Sequence, residues 1–226
     1  MEQARIIELK ETILEDNDTD AKVLRQDLHQ HKICLLNLMS SPGSGKTSTL
    51  LALKPYFDGK IKWGVMEADI DSDVDANTML EAEIPSIQLH TGGMCHLDAD
   101  MTRQGIRAFE QEIQENLDFI VLENIGNLVC PAEFDTGAHI NMTILSVPEG
   151  DDKPAKYPLM YQVSDILVIN KIDVLSVFDF QKDYVESVAR KLNPDVKIFY
   201  ISAKTGEGVK ELAAFLLQRI EEVNAK

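Results

Sequence analysis

No apolar run in the 226-residue chain approaches the roughly 20 residues of a membrane span. The first ten residues, MEQARIIELK, lack the basic region and apolar stretch of a secretory leader. Cysteine is scarce, and Cys34, Cys95 and Cys130 cannot make a disulfide framework. These absences exclude a disulfide-stapled secreted protein and a membrane-spanning one, and a cytoplasmic protein is expected. Basic residues are also outnumbered: 22 Lys and Arg stand against 38 Asp and Glu, a formal net charge of −16. A nucleic-acid surface, which needs clustered Lys and Arg, is therefore not expected. A nucleotide is not excluded, because backbone N–H groups can hold phosphate inside an acidic protein. Internal repeats and low-complexity tracts are absent too.

What is present is one sizeable domain with a short appendage. Residues 1–31 are polar. Ile6, Leu9, Ile13 and Leu14 fall at helical spacing, "EDNDTD" interrupts them, and a second helix runs through Leu24 and Leu28. This segment reads either as a solvated helical arm or as a docking segment for a partner. From residue 32 to 226 apolar runs alternate with helical stretches. Strands are expected at 33–39, 62–67, 86–90, 119–124, 142–147, 165–170 and 197–202. Helices are expected near 46–57, 73–83, 98–116, 178–192 and 207–223. Such alternation, with strands this apolar, predicts an α/β fold with a mostly parallel, doubly wound sheet flanked by helices.

"MSSPGSGKTST" (39–49) lies between the first strand and the first helix of that domain, the context a phosphate-binding loop requires. The strict pattern wants glycine where Ser40 stands, and Ser40 is tolerable if its φ is negative. Gly43, Ser44 and Gly45 bring backbone N–H groups onto a β-phosphate. Lys46 reaches the β and γ oxygens, Thr47 offers a hydroxyl to Mg²⁺, and Ser48 continues the helix N-terminus beside the phosphates. "NKID" (170–173) ends a later strand. Asp173 can accept from N1–H and the 2-amino group of guanine, donors that adenine lacks, while Lys171 lies along the base and Asn170 braces the loop. "SAK" (202–204) ends the next strand, with the Ala203 N–H positioned for guanine O6 between Ser202 and Lys204. The combination predicts GTP/GDP as the ligand.

The usual Asp-x-x-Gly switch is missing. "ENIG" (123–126) stands there instead, with Glu123 able to hold a magnesium water and the Gly126 N–H able to sense a γ-phosphate. Asn127, not glutamine, follows, which predicts slow intrinsic hydrolysis of about 10⁻⁴–10⁻³ s⁻¹. "EADIDSDVDA" (67–76) is dense in carboxylates but is no calcium loop: counted from Asp69, the sixth residue is Val74 and the twelfth Leu80. Asp69 is a candidate Mg²⁺ group, Asp71 and Asp73 read as helix-start residues, and neither Asp75 nor Lys153 has an assigned role. "TGGMCHLDADM" sets Cys95 and His96 side by side before a helix, where a thiolate is favoured. "NLVCP" sets Cys130 just past the switch glycine, and Cys34 falls inside a strand as core. Buried packing would account for these thiols. As ligands, Cys95, His96 and Cys130 suit Zn²⁺ or Ni²⁺ but fall short of a closed structural zinc site. An incomplete set points to a shared dimer interface or to a metal that must leave again.

"NLMSSPGSGKT", "TGGMCHLDADM", "ENIGNLVCPAEFD", "SVPEGDDKPAKYP" and "NKID" together closely resemble the HypB family, the GTPases of nickel insertion in nickel–iron hydrogenase maturation. The resemblance covers about residues 14–225. Ser40 is expected in that family's loop. Membership implies a homodimer promoted by GTP, with metal held at the interface by Cys95, His96 and Cys130. It also implies a HypA-type nickel carrier docking on the N-terminal arm and a hydrogenase large subunit as recipient. Residues 1–33 hold no cysteine and only His29 and His31, so a separate N-terminal nickel store is not expected. Two other readings stay open. One is a urease-type nickel maturation GTPase, whose Cys-Pro-His motif differs from the adjacent Cys95 and His96. The other is a nickel-binding storage protein with a vestigial nucleotide site.

Overall fold

The computed structural model describes residues 9–69, 74–113 and 116–225. Among them the element order is α1 (Leu9–Gln30), β1 (Cys34–Ser40), α2 (Lys46–Phe57), β2 (Trp63–Asp69), α3 (Val74–Glu81), β3 (Ser86–His90), α4 (Ala99–Ile113), β4 (Phe119–Glu123), α5 (Cys130–Glu133), β5 (Ile140–Ser146), α6 (Lys153–Lys156), α7 (Pro158–Gln162), β6 (Ile166–Asn170), α8 (Lys182–Leu192), β7 (Lys197–Tyr200) and α9 (Val209–Ala225). The strands form one parallel sheet in the order β3-β2-β4-β1-β5-β6-β7. Every expected strand and every expected long helix is present, within a few residues of the expected bounds.

β1 sits at the centre and is buried throughout. Its side chains alternate, as a strand dictates: Cys34, Leu36 and Leu38 join the layer beneath α2 and α9, whereas Leu35 joins the layer beneath α1 and α4. A third cluster, built from Met39, Leu145, Leu167, Ile169, Met160 and Val185, lies under α7 and α8. Burial on both faces explains why the strands read as continuous apolar runs. Burial also pushes the Cys34 thiol up to about 12, so this residue is core, as its place in the strand predicts.

α1 departs from the expectation. It is one unbroken helix through "EDNDTD" rather than two, and residues 17–30 are not a solvated arm. Ala21, Leu24 and Leu28 are buried, the two leucines in the cluster shared with α4. Asn17, itself buried, donates to Asp135 O at 3.0 Å and accepts from Ala99 N at 2.9 Å, so it caps α4 from a distance. Arg25 Nη2 donates to both oxygens of Asp135 at 2.6 and 2.7 Å, and Nε donates to Ala138 O at 2.8 Å. These contacts hold helical a stretch whose own propensity is poor. Ile6, Asp71 and Asp73 lie outside the described residues. Among the described residues no helix is long and apolar enough to cross a membrane.

Candidate functional site

In an open parallel sheet, ligands bind beyond the carboxyl ends of the strands. The loop after β1 lies there, between Ser40 and Lys46. Ser40 has no positive φ, so the absent glycine costs nothing. Gly45 is different. Its φ is 100°, and a Cβ there would meet Asn170 Nδ2 at 2.5 Å. The close approach is functional geometry, because Asn170 Nδ2 donates to Ser44 O at 3.0 Å and braces the phosphate loop. Lys171, itself left-handed at φ 62°, reaches back to Gly43 O at 2.6 Å. The loop is tied on its other side by Glu149, which accepts from Ser41 Oγ and from Ser146 N and Oγ.

The base pocket opens beside these residues, about 310 Å³ lined by Gly45, Ser48, Asn170, Lys171, Asp173 and Lys204 among others. Ser202 Oγ donates to Asp173 Oδ1 at 2.7 Å and so fixes the carboxylate. The Ala203 N–H points at Asn170 Oδ1 at 3.2 Å. A guanine O6 would share or take that donor.

The phosphate end holds a feature that the sequence reading missed. Glu67 pairs in register with Glu123 across β2 and β4, and both side chains are buried. Burial, with Glu123 beside it, pushes the Glu67 carboxyl up to about 10, so it keeps its proton and donates to Glu123. Glu123 is raised by burial as well, against the pull of Lys46, whose Nζ lies 3.7 Å from Glu123 Oε1. Thr47 Oγ1 faces Asp75 Oδ1 at 3.1 Å and Glu123 Oε1 at 3.3 Å. Glu67 Oε1 and Glu123 Oε2 are buried with no hydrogen-bond partner. Asp69, Asp75, Gln88 and Gly126 complete the lining of this small cavity. Orphaned oxygen donors around a hydroxyl and a lysine fit a hard cation such as Mg²⁺. Glu67 was legible only as one more acid in a carboxylate-rich run; its pairing comes from sheet register.

At the loop before α4, Gly92 and Gly93 take φ of 63° and 93°, and Asp98 Oδ1 accepts from Met101 N at 2.8 Å to start the helix. Cys95 Sγ lies 2.8 Å from Cys130 Sγ. His96 Nδ1 is 4.0 Å from Cys95 Sγ, and its ring stacks on Phe134 with centroids 3.8 Å apart. Burial lowers the His96 pKa, against Asp98 and Glu133, which favours the neutral imidazole. Hydrogen bonding to Cys95 raises that of Cys130. The structure therefore brings the two thiols together. Among the described residues, however, no three His, Cys, Asp or Glu side chains converge on a point that a metal ion would occupy.

Loop, base pocket and carboxylate cavity define a P-loop nucleotide-binding protein. Residues 34–200 match the CobW/HypB/UreG nucleotide-binding domain. The chain is 41% identical over 218 residues to the hydrogenase maturation factor HypB of Azotobacter chroococcum, spanning 96% of this chain and 70% of that protein. It is 38% identical to the hydrogenase/urease maturation factor HypB of Helicobacter pylori strain J99, spanning 96% and 89%. Among solved structures, HypB from Helicobacter pylori in complex with nickel superposes with a TM-score of 0.86 at 37% identity, covering 92% of this chain and 96% of that one. HypB from Archaeoglobus fulgidus superposes with a TM-score of 0.83 at 31% identity, covering 92% and 100%. The chain belongs to the HypB family.

Proposed function

We propose that this protein is a GTP-hydrolysing metallochaperone that binds nickel and assists its insertion into nickel–iron hydrogenase. The observation that carries this reading is the short path between two sites. Only Asn127, Leu128 and Val129 separate Gly126 at the phosphate end from Cys130, whose sulfur faces Cys95. A complete nucleotide site beside an incomplete thiol site suits a protein that must release its metal.

In this reading Asp173 accepts from the guanine N1–H and 2-amino group while Ser202 holds it in place. Lys46 neutralises charge at the β and γ oxygens, the backbone of 43–46 cradles the β-phosphate, and Gly126 N–H faces the γ-phosphate. Thr47, with Asp69 and Glu123 nearby, would hold Mg²⁺, which would supply charge neutralisation at the phosphates. Hydrolysis is slow, about 10⁻⁴–10⁻³ s⁻¹, as for a GTPase with no group orienting the attacking water. Asn127 stands where that group would be, and its amide is turned toward Val129 and Cys130 instead.

Nickel is the cargo, bound by Cys95, His96 and Cys130, with zinc able to occupy the same donors. GTP promotes a homodimer in which two chains complete the metal site. A HypA-type carrier docks on the N-terminal arm, whose residues 17–30 pack on the nucleotide-binding domain of residues 32–226, and the hydrogenase large subunit receives the metal in the cytoplasm. The storage-protein reading is disfavoured by the fully assembled base pocket. The test pairs GTP turnover with capture of hydrogenase or urease apoprotein. Slow GTP turnover and capture of the hydrogenase large subunit are expected. Absence of GTP binding, or capture of urease apoprotein alone, would overturn the assignment.

A further inference from the structure

We propose that Asn127 is the positioning residue through which the nucleotide state reaches the metal-binding thiol of Cys130. This rests on the nucleotide and nickel reading above and adds to it a specific physical link.

The link begins at Gly126. A Cβ on this residue would meet Pro42 Cγ, N and Cα at 3.0, 3.1 and 3.2 Å. Gly126 is thus in close packing with the phosphate loop, and a displacement of either backbone is transmitted to the other, because packed interiors do not absorb such shifts silently. Asn127 is the next residue, and its whole amide is committed to the chain just ahead. Oδ1 accepts from Val129 N at 2.7 Å and from Cys130 N at 3.3 Å. Nδ2 donates to Cys130 Sγ at 3.5 Å. The two acceptor contacts set the backbone entry into α5, and the donor contact aims an N–H at the sulfur. That sulfur in turn lies against Cys95. A continuous chain of contacts therefore runs Pro42–Gly126–Asn127–Cys130–Cys95.

An N–H···S hydrogen bond stabilises the sulfur lone pair. It lowers the donor strength of the thiolate toward a metal and raises the energy of thiolate-to-metal charge transfer. When residues 123–126 move with the γ-phosphate, the Asn127 side chain moves with them. Either Cys130 follows, or the N–H···S bond breaks; both change the metal site. The residue that would orient water in a faster GTPase is here redirected to the metal loop.

The test uses the full chain and two variants. Asn127→Ala removes all three contacts. Asn127→Ser keeps a side-chain acceptor for the turn but stops short of the sulfur. Ni²⁺ affinity is measured by competition with a chromophoric chelator, in protein loaded with GDP or with a non-hydrolysable GTP analogue. The thiolate-to-nickel absorption band is recorded alongside, and fluorescent-nucleotide binding is the control. In the wild type the two nucleotide states should differ in Ni²⁺ affinity by about five-fold or more, and in both variants by less than about two-fold. Nucleotide affinity should be unchanged in both. The charge-transfer band should move to longer wavelength in both variants in at least one nucleotide state, a signature that loss of a turn contact alone would not produce. An unchanged affinity ratio or an unshifted band in both variants would overturn the role of Asn127 alone. A wild-type ratio of one would overturn the coupling itself and this inference with it.

Discussion

The two ends of this molecule that carry chemistry are built differently. The nucleotide end is assembled within one chain and held on every side. Asn170 binds the loop through Ser44, Lys171 through Gly43, Glu149 through Ser41, and Ser202 holds Asp173. The metal end has two thiols in contact and an imidazole turned against Phe134, with no third ligand converging among the described residues. One site is pre-organised and the other is unfinished. The lesson is that pre-organisation follows what must be retained. In the reading proposed above, a nucleotide must be recognised and its γ-phosphate sensed, which suits a loop tied from several sides. In the same reading, a cargo metal must be handed on, and a second chain would complete the donor set that one chain leaves open among its described residues.

Breaking the rigid end should give the largest effects. Lys46→Ala should reduce GTP hydrolysis at least about 10²–10³-fold, as loss of one pre-organised charge-stabilising group does. Its melting temperature should hold, since Lys46 packs no core cluster. Steady-state turnover and a thermal melt check both halves. Asp173→Asn should weaken GTP by about 1.5–3 kcal/mol, roughly 10- to 10²-fold, and favour xanthine nucleotide, whose 2-oxo group meets the new amide donor. Unchanged GTP affinity in a fluorescent-nucleotide titration would refute the Asp173 assignment.

Effects confined to the unfinished end sharpen the contrast. Cys95→Ala and Cys130→Ala should each weaken Ni²⁺ by at least the 10–100-fold that disturbing a ligand's support costs. GTP turnover should stay at the wild-type level. A matched loss of hydrolysis would show that the two ends are one site.

The smallest effect tests the buried acid pair. The Glu67 carboxyl, ordinarily at 4.5, is pushed up to about 10 by burial and by Glu123 beside it. Between those values the folded state holds a proton that the unfolded state has lost. Its contribution is full below the lower value, declines as pH rises through the window and is gone above the upper one. Stability of the nucleotide-free protein should therefore fall with pH, by up to about 1.4 kcal/mol per unit. Glu67→Gln, neutral at every pH, should flatten that slope. Urea midpoints between about pH 6 and about pH 8 read it out. Equal slopes in both proteins would contradict a protonated Glu67.

Much of the nucleotide end is visible in the sequence because each element is local. "SPGSGKT" lies between a strand and a helix, "NKID" ends a strand, and the apolar runs of β1, β4 and β6 are unmistakable once both faces of the sheet are covered. What escapes the sequence is non-local. Glu67 meets Glu123 through strand register, 56 residues away along the chain. The polar stretch 15–20 stays helical because Asn17 and Arg25 find partners at Ala99 and Asp135, far along the chain. The short helices α5, α6 and α7, each of four or five residues, lack the length for a periodic signal. Around Cys95, His96 and Cys130 the residue types are legible, but among the described residues they do not converge on one point.

The central claim is that nucleotide state completes the unfinished end. Sedimentation velocity of the full chain, loaded with GDP or with a non-hydrolysable GTP analogue and each with or without Ni²⁺, tests it most directly. The account predicts a monomer with GDP, a dimer with the analogue, and Ni²⁺ sedimenting preferentially with the dimer. A single species of the same mass and the same bound nickel in both nucleotide states would contradict it.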